Sequence, residues 1–167
     1  MATKHTDDFV PKGYELPDNN SFMKFVAGKN KFRILSSLVA GYEYWTGDNK
    51  VVRSKTPFVE TPGIKVDENG KSSVNHIWVL AVYNYATESI QLLTITQKGI
   101  QKYIMGLVND EDWGSPKGYD IVVTRDSEGL STKYTVAANP HKAMSADILA
   151  DYEKSSIDPE SVFEEKN

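Results

Sequence analysis

The pattern of segments along this chain predicts a mainly β protein. The expected form is a five-stranded OB-fold Greek-key barrel with one helix between strands 3 and 4, an inserted β-hairpin and an acidic C-terminal tail. Three observations carry this expectation. First, His76–Gln97 holds two runs rich in β-branched and aromatic residues, split by Ala86-Thr-Glu-Ser89, which is a hairpin pattern. Second, residues 98–108 place Ile100, Tyr103, Ile104, Leu107 and Val108 at helical i, i+3, i+4 spacing. Third, strand-like segments flank these two on both sides. The resulting order is strand, inserted hairpin, strand, strand, helix, strand, strand.

Taken in order, residues 1–21 hold Pro11, Gly13, Pro17 and Asp18-Asn-Asn20 with no sustained period, and read as an extended arm. Ser21–Val26 reads as a short strand. Lys31–Leu35 alternates, with Phe32 and Ile34 inward and Lys31, Arg33 and Leu35 outward. A hairpin follows, aromatic on one arm (Tyr42, Tyr44, Trp45) and basic on the other (Arg53, Lys55), with its turn at Gly47-Asp-Asn49. Residues 56–75 read as a long loop with no core signal, and such loops in compact domains are usually functional or mobile.

In the organising hairpin, setting Tyr85 opposite Ile90 sorts the side chains by face. Trp78, Leu80, Val82, Leu93 and Ile95 form a large apolar face suited to a core. Val79, Ala81, Tyr83 and Tyr85 lie on the other with Ile90, Leu92 and Thr94, a surface on which something flat can lie. After the helix, Asp110, Glu111 and Asp112 read as a solvated loop. Tyr119–Arg125 and Ser131–Ala137 form a third hairpin around Asp126-Ser-Glu-Gly129. Ala143–Tyr152 reads as a short helix, and Ser155–Asn167 as an unstructured acidic end. The domain reading is an arm over 1–21, an OB-fold domain over 22–140, and an acidic helix and tail over 141–167.

Composition narrows the function. At 167 residues, 40% hydrophobic and 25% charged, the chain has apolar material for about one domain. There are no cysteines, and the three histidines (His5, His76, His141) lack ligand spacing, so neither metal nor cofactor is expected. No run approaches the ~18 apolar residues of a membrane helix, and no membrane partner is expected. Paired catalytic carboxylates, a Ser/His/Asp set and a phosphate loop are missing from the pattern, so the chain does not read as an enzyme.

The net charge of −4 conceals an asymmetry. Residues 1–21 sum to −2 and residues 147–167 to −5, leaving +3 on the body between them. On the expected barrel, the face of strands 2 and 3 adjoins the first strand, so Tyr83 and Tyr85 lie beside Lys31 and Arg33. Tyr42, Tyr44, Trp45, Arg53 and Lys55 lie at the rim. Rings beside cations suit single-stranded nucleic acid, whose bases stack while phosphates follow the charge. The tail suggests either an acidic segment that occupies its own basic cleft, or a docking peptide at Val162, Phe163, Glu164 and Glu165.

Several segments carry a family resemblance: Phe22-Met-Lys-Phe with Gly28–Leu35, Gly41–Thr46 with Val52–Lys55, Tyr83-Asn-Tyr85, Ile95-Thr-Gln97, Asp112–Pro116 and Tyr119–Arg125. Together they resemble a family of small bacteriophage proteins associated with single-stranded-DNA binding in phage replication and recombination. The resemblance spans about residues 20–138 and assigns no binding residue. Some better-known phage helix-destabilising proteins carry a structural zinc, and this chain lacks the cysteines for one. The resemblance implies single-stranded DNA as ligand, replication or recombination proteins as partners of the tail, and a cytoplasmic location, that of the host if the chain is phage-encoded. The competing expectation is an OB-fold protein-interaction module, such as a recombination mediator or phage structural component, that binds no nucleic acid.

Overall fold

A computed structural model describes residues 21–126 and 131–164. The arm over 1–21, Ser21 apart, and most of the turn at Asp126–Gly129 therefore lie outside the described residues, as does Glu165.

The sheet is organised by its longest strand, β5 (Asn75–Asn84), whose ten residues run through Ile77-Trp-Val-Leu-Ala-Val82 and are buried on both faces there. One edge of β5 pairs antiparallel with β6 (Ser89–Ile95). The other edge is shared by β2 (Gly28–Ile34), along Val82–Asn84, and β3 (Val39–Trp45), along Asn75–Val79. The pairing moves from Ile34↔Val82 to Val39↔Val79, so two extra residues are looped out between β2 and β3. Ser36 holds this jog: the Ala81 N–H donates to Ser36 Oγ at 2.9 Å, and the Leu35 N–H to the Ala81 carbonyl at 2.8 Å. A side-chain oxygen thus replaces the missing ladder acceptor.

The remaining strands extend the sheet outward. β1 (Phe22–Met23) runs parallel to β6, and β4 (Val51–Ser54) pairs with β3. β7 (Asp120–Asp126) pairs with the far edge of β2, and β8 (Lys133–Ala138) pairs with β7. The protein is mainly β, with an eight-stranded sheet that does not close into a barrel. The eight strands are the five expected for the barrel, the two arms of the inserted hairpin and the short strand read at Ser21–Val26, with β3 of that hairpin carried onto β5 by the jog at Ser36.

Helix α1 (Lys98–Val108) follows β6, as its spacing predicts. Ile100 and Ile104 enter a core with Phe32, Trp78, Leu80, Leu93 and Ile121. Tyr103 and Val108 are exposed, however, and Gln101 is buried in their stead. Its Nε2 donates to the carbonyls of Ile95 (2.8 Å) and His76 (3.1 Å), satisfying backbone acceptors where β5 begins and β6 ends. We expect Gln101→Met, which fills the same space with a more apolar chain, to lower unfolding free energy by about 1–3 kcal/mol in urea titrations. No loss would mean that these carbonyls find other donors.

Candidate nucleic-acid interface

Strand alternation fixes which side chains share the sheet face opposite the core. The organising hairpin pairs Tyr83, not Tyr85, with Ile90. This is a slip of two residues from the expected register, so every side chain keeps its expected face. Trp78, Leu80, Val82, Leu93 and Ile95 are in the core. On the opposite face, register aligns Arg33 with Tyr83, Val39 with Val79, Gly41 with Ile77, and Glu43 with Asn75. Trp45, two residues beyond Glu43, continues this face at its far end.

One end of the face carries the predicted tyrosine–cation group. Tyr83 and Tyr85 meet edge to face, with ring centroids 5.0 Å apart. Lys31 Nζ lies 4.5 Å from the centroid of the Tyr85 ring, a cation–π distance. The structure brings all four residues together, but not as a free positive stripe. Arg33 is only 1% exposed; its Nε donates to Asp120 Oδ1 at 2.8 Å and its Nη1 to the Lys117 carbonyl at 3.2 Å. Asp120 also accepts the Tyr85 hydroxyl at 2.8 Å and lies 3.7 Å from Lys31 Nζ. A buried guanidinium needs such a counter-charge, and Asp120 supplies it from β7, directly opposite Arg33 in the register. Burial, reinforced by the hydrogen bond to Asp120, pushes the Tyr85 hydroxyl up to about 12.

The rim hairpin divides its aromatics between the two faces. Tyr42 and Tyr44 alternate with Trp45 and so lie on the core side, away from Arg53 and Lys55. Tyr44 is buried; its hydroxyl donates to the Pro62 carbonyl at 3.0 Å and its ring meets Phe58 edge-on. Tyr42 packs beside His76 with centroids 5.1 Å apart. Trp45 alone of the three is exposed, at 44%. Arg53 is committed to Glu43, with Nε 3.1 Å from Oε1.

The middle of this face is occupied by the chain's own end. Helix α2 (Ala146–Lys154) is followed by a 3-10 turn over Pro159–Phe163, where the sequence reading expects no structure. Asp158 caps the turn by accepting the Glu160 N–H at 3.0 Å, with Pro159 at the first helical position, a local signal present in Asp158-Pro-Glu160. Ile157, Val162 and Phe163 pack on Ile77, Val79 and Leu92. Glu160 pairs with Lys55. A Cβ on Gly41 would clash with the edge of the Phe163 ring and lie 2.6 Å from the Ser54 carbonyl oxygen, so only glycine admits the ring here. Val162 and Phe163 therefore point into their own sheet rather than outward, while Glu164 is exposed.

Among the described residues no group of histidines and acids is placed to hold a metal, and no helix is long and apolar enough to cross a membrane. Asp120, which organises the tyrosine–cation end, escapes sequence reading because its partner Arg33 lies 87 residues away.

Two predictions separate the roles in this cluster. Arg33→Ala strands the buried Asp120 charge and is expected to cost about 3–5 kcal/mol in urea unfolding. Lys31→Ala removes an exposed ammonium 3.7 Å from a carboxylate that keeps Arg33, and is expected to cost under about 1 kcal/mol; equal costs would contradict the assignment. Because the folded Tyr85 hydroxyl is held above its ordinary 10, its stabilisation is complete below pH 10 and is lost as pH rises towards 12. Tyr85→Phe should therefore flatten the alkaline stability profile between those limits relative to the parent chain.

No family model matches this chain, nor does any curated protein or solved structure.

Proposed function

We propose that this protein binds single-stranded DNA without strong sequence preference, in the manner of a phage replication or recombination protein, and that its acidic C-terminal segment competes with DNA for the same face. The observation that carries this reading is the docked tail. It sets an aromatic ring, Phe163, on the sheet and an anion, Glu160, on a cation, Lys55. A strand of nucleic acid makes the same two kinds of contact, with base on surface and phosphate on Lys or Arg. Displacing the tail frees Lys55 and uncovers Ile77 and Val79, next to the end of the face where Lys31 is exposed and Tyr83 and Tyr85 are half-buried.

The strand order supports an OB-type architecture for this function. Counting β2 and β3 as halves of one strand bent at Ser36 gives five principal strands, with α1 between the third and the fourth. On this reading β1 and β4 are additions, and the barrel is one of the partly open kind.

One observation favours the alternative, an OB-fold interaction module such as a recombination mediator or structural component. The patch beneath the tail (Ile77, Val79, Leu92) is apolar and suits a peptide as well as a base.

Anisotropy titrations of labelled single- and double-stranded oligonucleotides at several salt concentrations test both readings. The full chain is expected to prefer single strands, with affinity falling linearly in log salt. A Val162→Ala/Phe163→Ala variant, which undocks the tail without removing it, is expected to bind roughly tenfold tighter, a change of about 1.4 kcal/mol. Absence of oligonucleotide binding at low salt, for both chains, would reject DNA binding and leave the interaction module. Unchanged affinity in the undocked variant would reject competition by the tail alone.

A further inference from the structure

The long loop over residues 56–75 is not featureless. Its Thr61–Ile64 portion folds back on the β3–β4 hairpin through an isolated bridge between Thr46 and Ile64. The Lys65 N–H donates to the Trp45 carbonyl at 2.7 Å, and the Gly47 N–H to the Gly63 carbonyl at 3.0 Å. Beyond the bridge, Asp67 turns the chain by accepting the N–H groups of Asn69 and Lys71, each at 2.8 Å, with Gly70 at a φ of +77°. Between the loop so anchored and the end of the hairpin lies an open groove of about 550 Å³. That volume lies within the ~300–1,000 Å³ range of small-molecule sites.

The groove has a distinct chemistry. Trp45 forms one wall, and Lys65 and Lys71 stand on the loop side, with Asn49, Ser73 and Asn75 supplying polar edges. Asp67 is the one acid of the lining, and its carboxylate is engaged by the backbone of its own turn. Among the described residues neither Lys65 nor Lys71 is ion-paired, whereas Arg33, Arg53 and Lys55 all are. Lys65 Nζ reaches only the Asn49 amide oxygen, at 3.4 Å. An exposed indole is the strongest stacking surface a protein offers, and two unneutralised ammonium groups beside it suit phosphate oxygens.

We infer that this groove is a nucleotide subsite: one base stacks on Trp45 while Lys65 and Lys71 take the flanking phosphates. The inference rests on the DNA-binding reading and deepens it by naming a second contact point. Register places Trp45 about 30 Å along the strand direction from Tyr83, on the same face, with the docked tail between them. A strand entering at one aromatic end and leaving at the other would cross the tail's position.

The test uses the full chain with oligothymidylate and with a base-free deoxyribose-phosphate oligomer of equal length. Trp45→Ala is expected to weaken oligothymidylate binding about tenfold, within the range for loss of one stacked base, and to leave base-free oligomer binding unchanged. Trp45→Phe, which keeps a ring, should restore most of the affinity. Lys65→Gln/Lys71→Gln should lower the slope of log affinity against log salt by about 1.4, at ~0.7 per phosphate for single strands. Trp45 is also expected to carry most of the fluorescence quench on binding, since Trp78 is buried and Trp113 is stacked on His141. A parent chain that binds oligothymidylate, with all three variants matching its affinity and slope, would overturn the subsite alone. A parent chain that binds neither oligomer, nor mononucleotide at millimolar concentration, would overturn the subsite together with the reading beneath it. Mononucleotide binding without oligomer binding would overturn the polymer ligand and reassign the groove to free nucleotides.

Discussion

One edge of a single strand sets the architecture. β5 must satisfy its backbone along ten residues, and it does so with two successive strands, β2 and β3, joined by the jog at Ser36. An unpaired buried backbone group costs as much as a lost hydrogen bond, so the Ser36 hydroxyl is a structural requirement of the bend. The bend in turn sends β2 towards β7 and β3 towards β4. Both ends of the outer face follow from it. The tyrosine–cation cluster lies where β2 meets β7, and the exposed tryptophan lies where β3 turns into β4.

Electrostatic compensation then decides which cations remain free. Arg33 is buried and so must be matched, and Asp120 matches it while also binding the Tyr85 hydroxyl. Arg53 is matched by Glu43 and Lys55 by Glu160. A count of basic residues along β2 and β4 therefore overstates the positive potential of this face. The cations without a carboxylate partner in the groove, Lys65 and Lys71, come from a loop whose sequence carries no core signal.

These differences show what was legible in the sequence and why the rest was not. The hairpin, the helix span and the two faces of β5 were legible because they depend on local period and on parity, and a two-residue slip of register preserves parity. The burial of Tyr44 was not, because it depends on Phe58 and Pro62 folding back over the hairpin. Asp120 was not, because no local rule reports a partner 87 residues distant. The tail misled in a different way: its acidic composition suggested disorder, yet Val162 and Phe163 in the capped turn and Ile157 just before its cap all pack on one apolar patch. Composition averages over such a pattern and hides it.

The position of the tail also bears on how an acidic chain would bind a polyanion. A net charge of −4 opposes approach of DNA at long range, but screening confines that effect to about 10 Å at ordinary ionic strength. Within that range the sign depends on which residues line the path, and the path here is partly covered by acidic residues of the same chain. Apolar packing of Phe163 and Val162 holds Glu160 against Lys55. Because hydrophobic packing is insensitive to moderate salt while an exposed ion pair is weakened by it, added salt would loosen the anionic contact but leave the segment seated. On the proposed reading, salt therefore weakens the incoming DNA more than it weakens the tail, since DNA relies on several phosphate contacts and the tail on one. Competition of this kind is sharpest at high salt, the opposite of what a purely electrostatic tail would produce.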